Sequence, residues 1–168
     1  MFAYMKKSDS QTMLPILYDI MYENMSAIVP KVMPKNEFIS AVTSGLMAEN
    51  RQILLFYESE EIVGFLQYFI SKDNTTFCIE ELQIMPAYQM SGVFVKLMHF
   101  MKNVLPKDLK YIEAFAHVEN TNSIRIQSRI GLSEIGREDG IIHMRGKFSA
   151  LNDRYFNKIQ RGLSSCFL

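Results

Sequence analysis

The 168-residue chain is poor in metal and disulfide ligands: it has two cysteines, Cys78 and Cys166, and three histidines. With no C-x-x-C pair and no clustered histidines, neither a disulfide framework nor a structural zinc site can be assembled, so both cysteines are read as free thiols in a reducing compartment. An excess of charge of one sign is missing too, since 18 Lys and Arg balance 18 Asp and Glu. No global field then recruits nucleic acid or an acidic membrane surface. Apolar runs long enough to cross a membrane are absent, and the N-terminus "MFAYMKKSDSQ" reaches charge before any apolar region develops. Membrane spanning and secretion both lack a signal, cytoplasm is the expected compartment, and the sequons at Asn24 and Asn74 are chance matches. No linker, low-complexity tract or internal repeat divides the chain.

What is present is enough apolar material for one domain, 48% hydrophobic and 12% aromatic residues, which argues against disorder. After the strand candidate "FAYMKK", the polar cluster Ser8-Asp9-Ser10 can cap a helix carrying Leu14, Leu17, Tyr18 and Met21, with Pro15 limiting where it begins. A second helix is predicted from Lys35 to Glu49, with Phe38, Val42 and Leu46 on one face. The period then changes: "QILLFYES", "IVGFLQYFIS" and "TFCIEELQIM" read as a meander of antiparallel strands. Val93, Leu97, Phe100 and Met101 form a helical stripe ending before Pro106, in which Met98 and Met101 are core. "YIEAFAHV" is a further strand, and "NTNSIRIQSRIG" a short helix closed by Gly131. "LSEIGRE" and "IIHMRGKF", split by Asp139-Gly140, make a terminal hairpin.

One connection stands out. In "EELQIMPAYQMSGVFVKLM" a strand runs through a polar turn into the start of a helix, where N–H groups without intrahelical partners and the positive end of the dipole favour an anion such as phosphate. A glycine in such a turn lets the anion approach the backbone closely.

The order of elements, with "LQIMPAYQMSGVFVKLM" and "NTNSIRIQSRIGL", resembles the GNAT superfamily of acetyl-CoA-dependent N-acetyltransferases over nearly the whole chain up to Lys147. The resemblance implies an α/β (α+β) domain over residues 1–148, with a mixed, mostly antiparallel, centrally splayed sheet and helices on both faces. It implies acetyl-CoA as acyl donor and a small-molecule or peptide amine as acceptor. The family's pyrophosphate loop Q/R-x-x-G-x-G/A is matched by Gln89 and Gly92 within Gln89-Met90-Ser91-Gly92-Val93-Phe94, while Phe94 replaces a small residue and Met90 stands where Gly is common. Asn120 and Ser123 resemble the family's N-x-x-[SA] block near the coenzyme. The backbone of Leu82, Gln83 and Ile84 is implied to pair with the pantetheine arm as an added strand does.

For the base that takes the amine's proton, Glu80 is the first candidate: under strict alternation it shares a face with Cys78, Leu82 and Ile84, and apolar surroundings raise a carboxyl pKa. The family's "E-[DE]-L" resembles Glu80-Glu81-Leu82. His117 is the alternative base or a substrate contact; His143 carries less weight. The resemblance places Gln127 where many members have the Tyr that protonates the leaving thiolate, and Gln has no titrating proton to give. The acid is then Tyr155 from the tail, another residue, solvent, or absent, and the spacing of Tyr155 also fits plain helix packing. That tail, residues 149–168, sets Leu151, Tyr155, Phe156, Ile159 and Leu163 on one helical face, and is expected to dock on the domain or on a second subunit of a homodimer. The competing readings are a non-catalytic acyl-CoA-binding or interaction protein on the same scaffold, and a nucleotide-phosphate binder. No metal site is predicted.

Overall fold

The computed structural model describes residues 1–47 and 51–151, so the expectations for Tyr155, Cys166 and most of the tail lie outside the described residues. Seven strands follow the order β1-β2-β3-β4-β5-β7-β6 in a mostly antiparallel sheet, in agreement with the predicted class. The described residues divide into two compact units, 1–70 with 79–93, and 71–78 with 94–151.

In the first unit β1 (Phe2–Tyr4), β2 (Arg51–Glu58) and β3 (Glu61–Ile70) are paired antiparallel. Four consecutive residues of β2, Ile53 to Phe56, are almost fully buried, which is why "QILLFY" reads as a continuous apolar run rather than an alternating one. Helices α1 (Ser10–Met25) and α2 (Lys35–Met47) place Leu14, Leu17, Ile20, Phe38 and Val42 against Ile53, Leu55 and Phe65. The expectation that Pro15 delimits α1 is corrected: Pro15 lies inside the helix. At its sixth position the missing N–H removes one bond to the first turn, and the burial of Leu14 and Leu17 on either side outweighs that loss. The chain of β4 (Thr76–Ile84) passes from one unit to the other, and its residues Ile79 to Ile84 belong to the first and lead into the turn at Pro86.

The second unit contains β5 (Tyr111–His117), β6 (Ser133–Glu138) and β7 (Ile141–Lys147), with β7 antiparallel to both neighbours. The β6–β7 turn is Asp139-Gly140, both at positive φ (48° and 78°), the mirror-type turn whose twist suits a two-residue hairpin. Period two is clear: Ile112, Ala114, Ala116, Ile142 and Met144 are buried, while Glu113, Phe115, His143 and Arg145 share the other face. On that face Glu113 meets His143 Nε2 at 3.0 Å and Arg145 Nε at 3.3 Å, and Phe115 stacks on the His143 ring at 4.5 Å. His143 is thus held by structural partners. Leu97, Met98 and Met101 of α3 (Val93–Val104) are buried, as a core stripe requires. The short α5 (Phe148–Leu151) sets Phe148 edge-on to Phe77.

Candidate active site

The two neighbouring carboxyls of β4 have different surroundings. Residues Arg51 and Gln67 stand on the face of β2 and β3 that also carries Ile53, Leu55 and Phe65, because residues paired across antiparallel strands project to one side. Glu80 reaches them both. Arg51 donates from Nε and Nη2 to the two Glu80 oxygens, and Gln67 Nε2 donates to Oε2 at 2.9 Å. The apolar setting expected for Glu80 is therefore not what the structure shows. Both oxygens already accept hydrogen bonds from a half-buried guanidinium and an amide.

Gln83, three residues on, also turns toward the α1 side, where its Oε1 accepts from Asn24 Nδ2 at 2.7 Å. An odd spacing between two side chains on the same face breaks strict alternation, so β4 is irregular between Glu80 and Gln83. Glu81 sits in this irregular stretch and accepts a short hydrogen bond from Gln83 Nε2. Desolvation pushes the Glu81 carboxyl above its ordinary value; the Gln83 hydrogen bond pulls the other way, and the Glu80 charge adds to the rise. A carboxyl raised in this way is a candidate for proton uptake.

Beyond β4 the backbone of Met85 donates to Val63 at 2.8 Å, and a short 3-10 turn, Pro86–Tyr88, leads to the quoted loop. Ser91 bonds back within the turn: its N–H and its hydroxyl both donate to the Tyr88 carbonyl, at 3.2 and 2.7 Å. Gly92 has φ +82° and no heavy atom within 4 Å of where a Cβ would lie. A glycine is needed there for the backbone conformation, and open space lies before it. Gln89 donates from Nε2 to Asn24 Oδ1 and to the Ile84 carbonyl, both at 3.1 Å, so the first residue of the matched loop is tied to α1 and to β4. Met90 is nearly fully exposed. Val93, which opens α3, is buried.

In the second unit Asn120 caps α4 (Thr121–Ile130), accepting at Oδ1 from the Ser123 N–H at 3.0 Å. Gln127, buried, donates from Nε2 to the Phe115 carbonyl at 3.2 Å and to Ser123 Oγ at 3.1 Å. A carbonyl can only accept, so this fixes which end of the amide is which. Gln127 Oε1 is left buried with no hydrogen-bond partner. His117 Nδ1 accepts from the Glu119 N–H at 3.2 Å, and its carbonyl accepts from Asn120 N–H at 2.8 Å, a local turn that engages the ring before any substrate does.

The structure thus brings Glu81, Gln83 and Gln89 together through Asn24, and separately groups Asn120, Ser123 and Gln127. Asn24, Arg51 and Gln67 were not among the predicted site residues. Gln67 had a signal, a polar residue in the middle of the apolar "IVGFLQYFI"; Asn24, in the last turn of α1, had none. The Asn24 side chain is engaged in three hydrogen bonds, to Gln83, the Ile84 carbonyl and Gln89. A cavity of about 510 Å³ beside α1, lined by Met13, Ile16, Ile20, Tyr57, Glu23 and Glu61 among others, includes none of the predicted site residues. Among the described residues no group of three or more His, Cys, Asp or Glu could hold a metal ion, and no helix is long and apolar enough to cross a membrane.

Comparison with known proteins places this arrangement. Similar solved structures include an acetyltransferase from Thermus thermophilus (TM-score 0.69, 11% identity, 88% of this chain and 96% of that one). Another is the PaiA N-acetyltransferase from Thermoplasma acidophilum in complex with coenzyme A (TM-score 0.63, 12% identity, 88% and 98%). A third is a spermidine N-acetyltransferase SpeG chimera from Vibrio cholerae and hSSAT (TM-score 0.61, 13% identity, 92% and 99%). At these identities the likeness is one of fold. A comparison with curated proteins gives no match. The model of the acetyltransferase (GNAT) family matches residues 14–131, most of the chain and both quoted motifs, so the protein belongs to the GNAT family of acetyltransferases and is an acyltransferase.

Proposed function

We propose that the protein transfers an acetyl group from acetyl-CoA to a primary amine by direct attack, with the coenzyme pyrophosphate at the Gln89–Gly92 turn and Glu81 as the general base. The observation that carries the first part is Gly92: positive φ, open space before the backbone and a helix start at Val93 meet the needs of a phosphate cradle. Acetyl-CoA supplies the acetyl group activated as a thioester. The backbone of Leu82 to Ile84 is the proposed contact for its pantetheine arm. Met90, Val93 and Phe94 flank the cradle.

The amine must lose a proton to attack, and Glu81 is the group proposed to accept it. This replaces Glu80, whose oxygens are taken by Arg51 and Gln67, and it stands ahead of His117, whose Nδ1 is held by Glu119. Gln127 cannot return a proton to the leaving sulfur. Its NH₂ is committed and its Oε1 only accepts, so in this reading the C–S bond breaks as the new C–N bond is kept, and the proton that Glu81 took from the amine returns to the leaving thiolate, directly or through water. The acceptor class is a primary amine of a small molecule or peptide, and spermidine is a rational first test because a neighbour of similar fold is a spermidine N-acetyltransferase.

Calorimetry with acetyl-CoA tests the cradle. Gly92→Glu puts a charged side chain on a backbone at φ +82°, and should abolish measurable binding in a folded protein. Unchanged affinity in that variant removes the pyrophosphate from this turn.

A further inference from the structure

Four polar side chains of the first unit form one chain, and its polarity is determined. The Ile84 carbonyl can only accept, and it accepts from both Asn24 Nδ2 at 3.0 Å and Gln89 Nε2 at 3.1 Å. That fixes the Asn24 amide. Its NH₂ then donates to Gln83 Oε1 at 2.7 Å, and its Oδ1 accepts from Gln89 at 3.1 Å. With Oε1 so engaged, Gln83 has its NH₂ directed at Glu81, where the short bond is found. Gln83 is 7% exposed, so its amide has no ready alternative in water.

We propose that Asn24 is a positioning residue for acetyl transfer, joining the Gln89–Gly92 turn to the Gln83–Glu81 stretch of β4 by one hydrogen-bond chain of fixed direction. The inference rests on the reading above, in which that turn takes the pyrophosphate and Glu81 takes the proton. Asn24 touches neither. It works by holding Gln89 against the strand and by keeping a donor, rather than an acceptor, aimed at Glu81. Its place in the last turn of α1 makes the helix the common anchor for both.

Three variants separate this from a merely structural role. Asn24→Leu, similar in size, removes both the donor and the acceptor; the dissociation constant of acetyl-CoA by calorimetry should rise and kcat should fall, each by about 2- to 30-fold. Turnover is read as thiol release with the best amine of a panel that includes spermidine. Gln89→Leu should reproduce the rise in Kd, and Gln83→Met the fall in kcat. Asn24→Leu added to Gln89→Leu should raise Kd no further, since both remove the same link. If Asn24→Leu does not fold, Asn24→Ser, too short to reach Gln83 and Gln89 together, takes its place. A folded Asn24 variant with Kd unchanged, or Kd effects that simply add in the double variant, overturns the proposal. If instead Gly92→Glu leaves Kd unchanged, it is the assignment of the turn that fails.

Discussion

Replacing Glu81 with Gln removes a titrating group and little else: the new side-chain oxygen can still accept from Gln83 Nε2, and the volume is unchanged. If Glu81 is the base, turnover should fall by about 100-fold to 10,000-fold, the range that general-base catalysis contributes, while acetyl-CoA binds as before. The sign of the accompanying stability change follows from the raised pKa. Between the ordinary carboxylate value and its raised folded value, Glu81 binds more protons in the folded state, so the wild-type protein loses stability as pH rises through that window. Glu81→Gln should lack that loss and melt at least as high as wild type at neutral pH. In the activity profile, the acidic limb of kcat/KM should lie above the normal carboxylate range in wild type and disappear in the variant. Stopped assays of thiol release from about pH 5 to 9 and melting curves at the same values measure both. Full turnover with an unchanged acidic limb in Glu81→Gln refutes the assignment, and the same losses in Glu80→Gln move the base to Glu80.

Arg51→Met should destabilise the protein by about 1 to 3 kcal/mol, because it leaves a half-buried Glu80 without its charged hydrogen-bond partner; denaturant melts with and without the companion Glu80→Gln show whether removing both restores most of it. Gly64→Ala should destabilise by at least about 1 to 3 kcal/mol and weaken acetyl-CoA binding, since a Cβ there would lie 2.4 Å from the Gln83 carbonyl oxygen and 3.1 Å from Ile84 Cα, and the backbone that carries the hydrogen-bond chain must move; melting and calorimetry read the two effects.

Most of the fold was legible because its elements depend on local pattern. The alternation of "YIEAFAHV", the Asp139-Gly140 turn and the Leu97/Met101 stripe all appear where period and turn chemistry put them. Pro15 misled for a physical reason: its penalty is local, whereas the burial of Leu14 and Leu17 that overrides it is set by strands lying far along the chain. The turn before α3 was legible from Gly92, since a positive φ leaves a residue-type signature. The base was not. Locating Glu80 by alternation presupposes a regular strand, and the irregularity that turns Glu80 and Gln83 to the same side has no residue-type signature in "IEELQI". Arg51, 29 residues away in sequence, is likewise visible as a partner only once β2, β3 and β4 lie side by side.

Two adjacent carboxyls acquire different roles only if their environments differ, and β4 supplies that difference by its irregularity. On a regular strand Glu80 and Glu81 would project to opposite faces, far less able to influence each other. Here Glu80 is committed to Arg51 and Gln67, and its charge is one of the causes that raise Glu81. Gln83 acts in the opposite sense by donating to Glu81. Desolvation, the largest cause, is thus opposed by one donor whose direction the Ile84 carbonyl determines through Asn24. A carboxyl raised by burial alone would resist ionising, and one surrounded by donors would be too weak a base; in Glu81 burial raises the pKa and the Gln83 donor opposes it. The residues around this pair, Asn24, Arg51 and Gln83, lie on α1, β2 and β4, so the chemistry proposed for one side chain depends on the packing of the whole first unit.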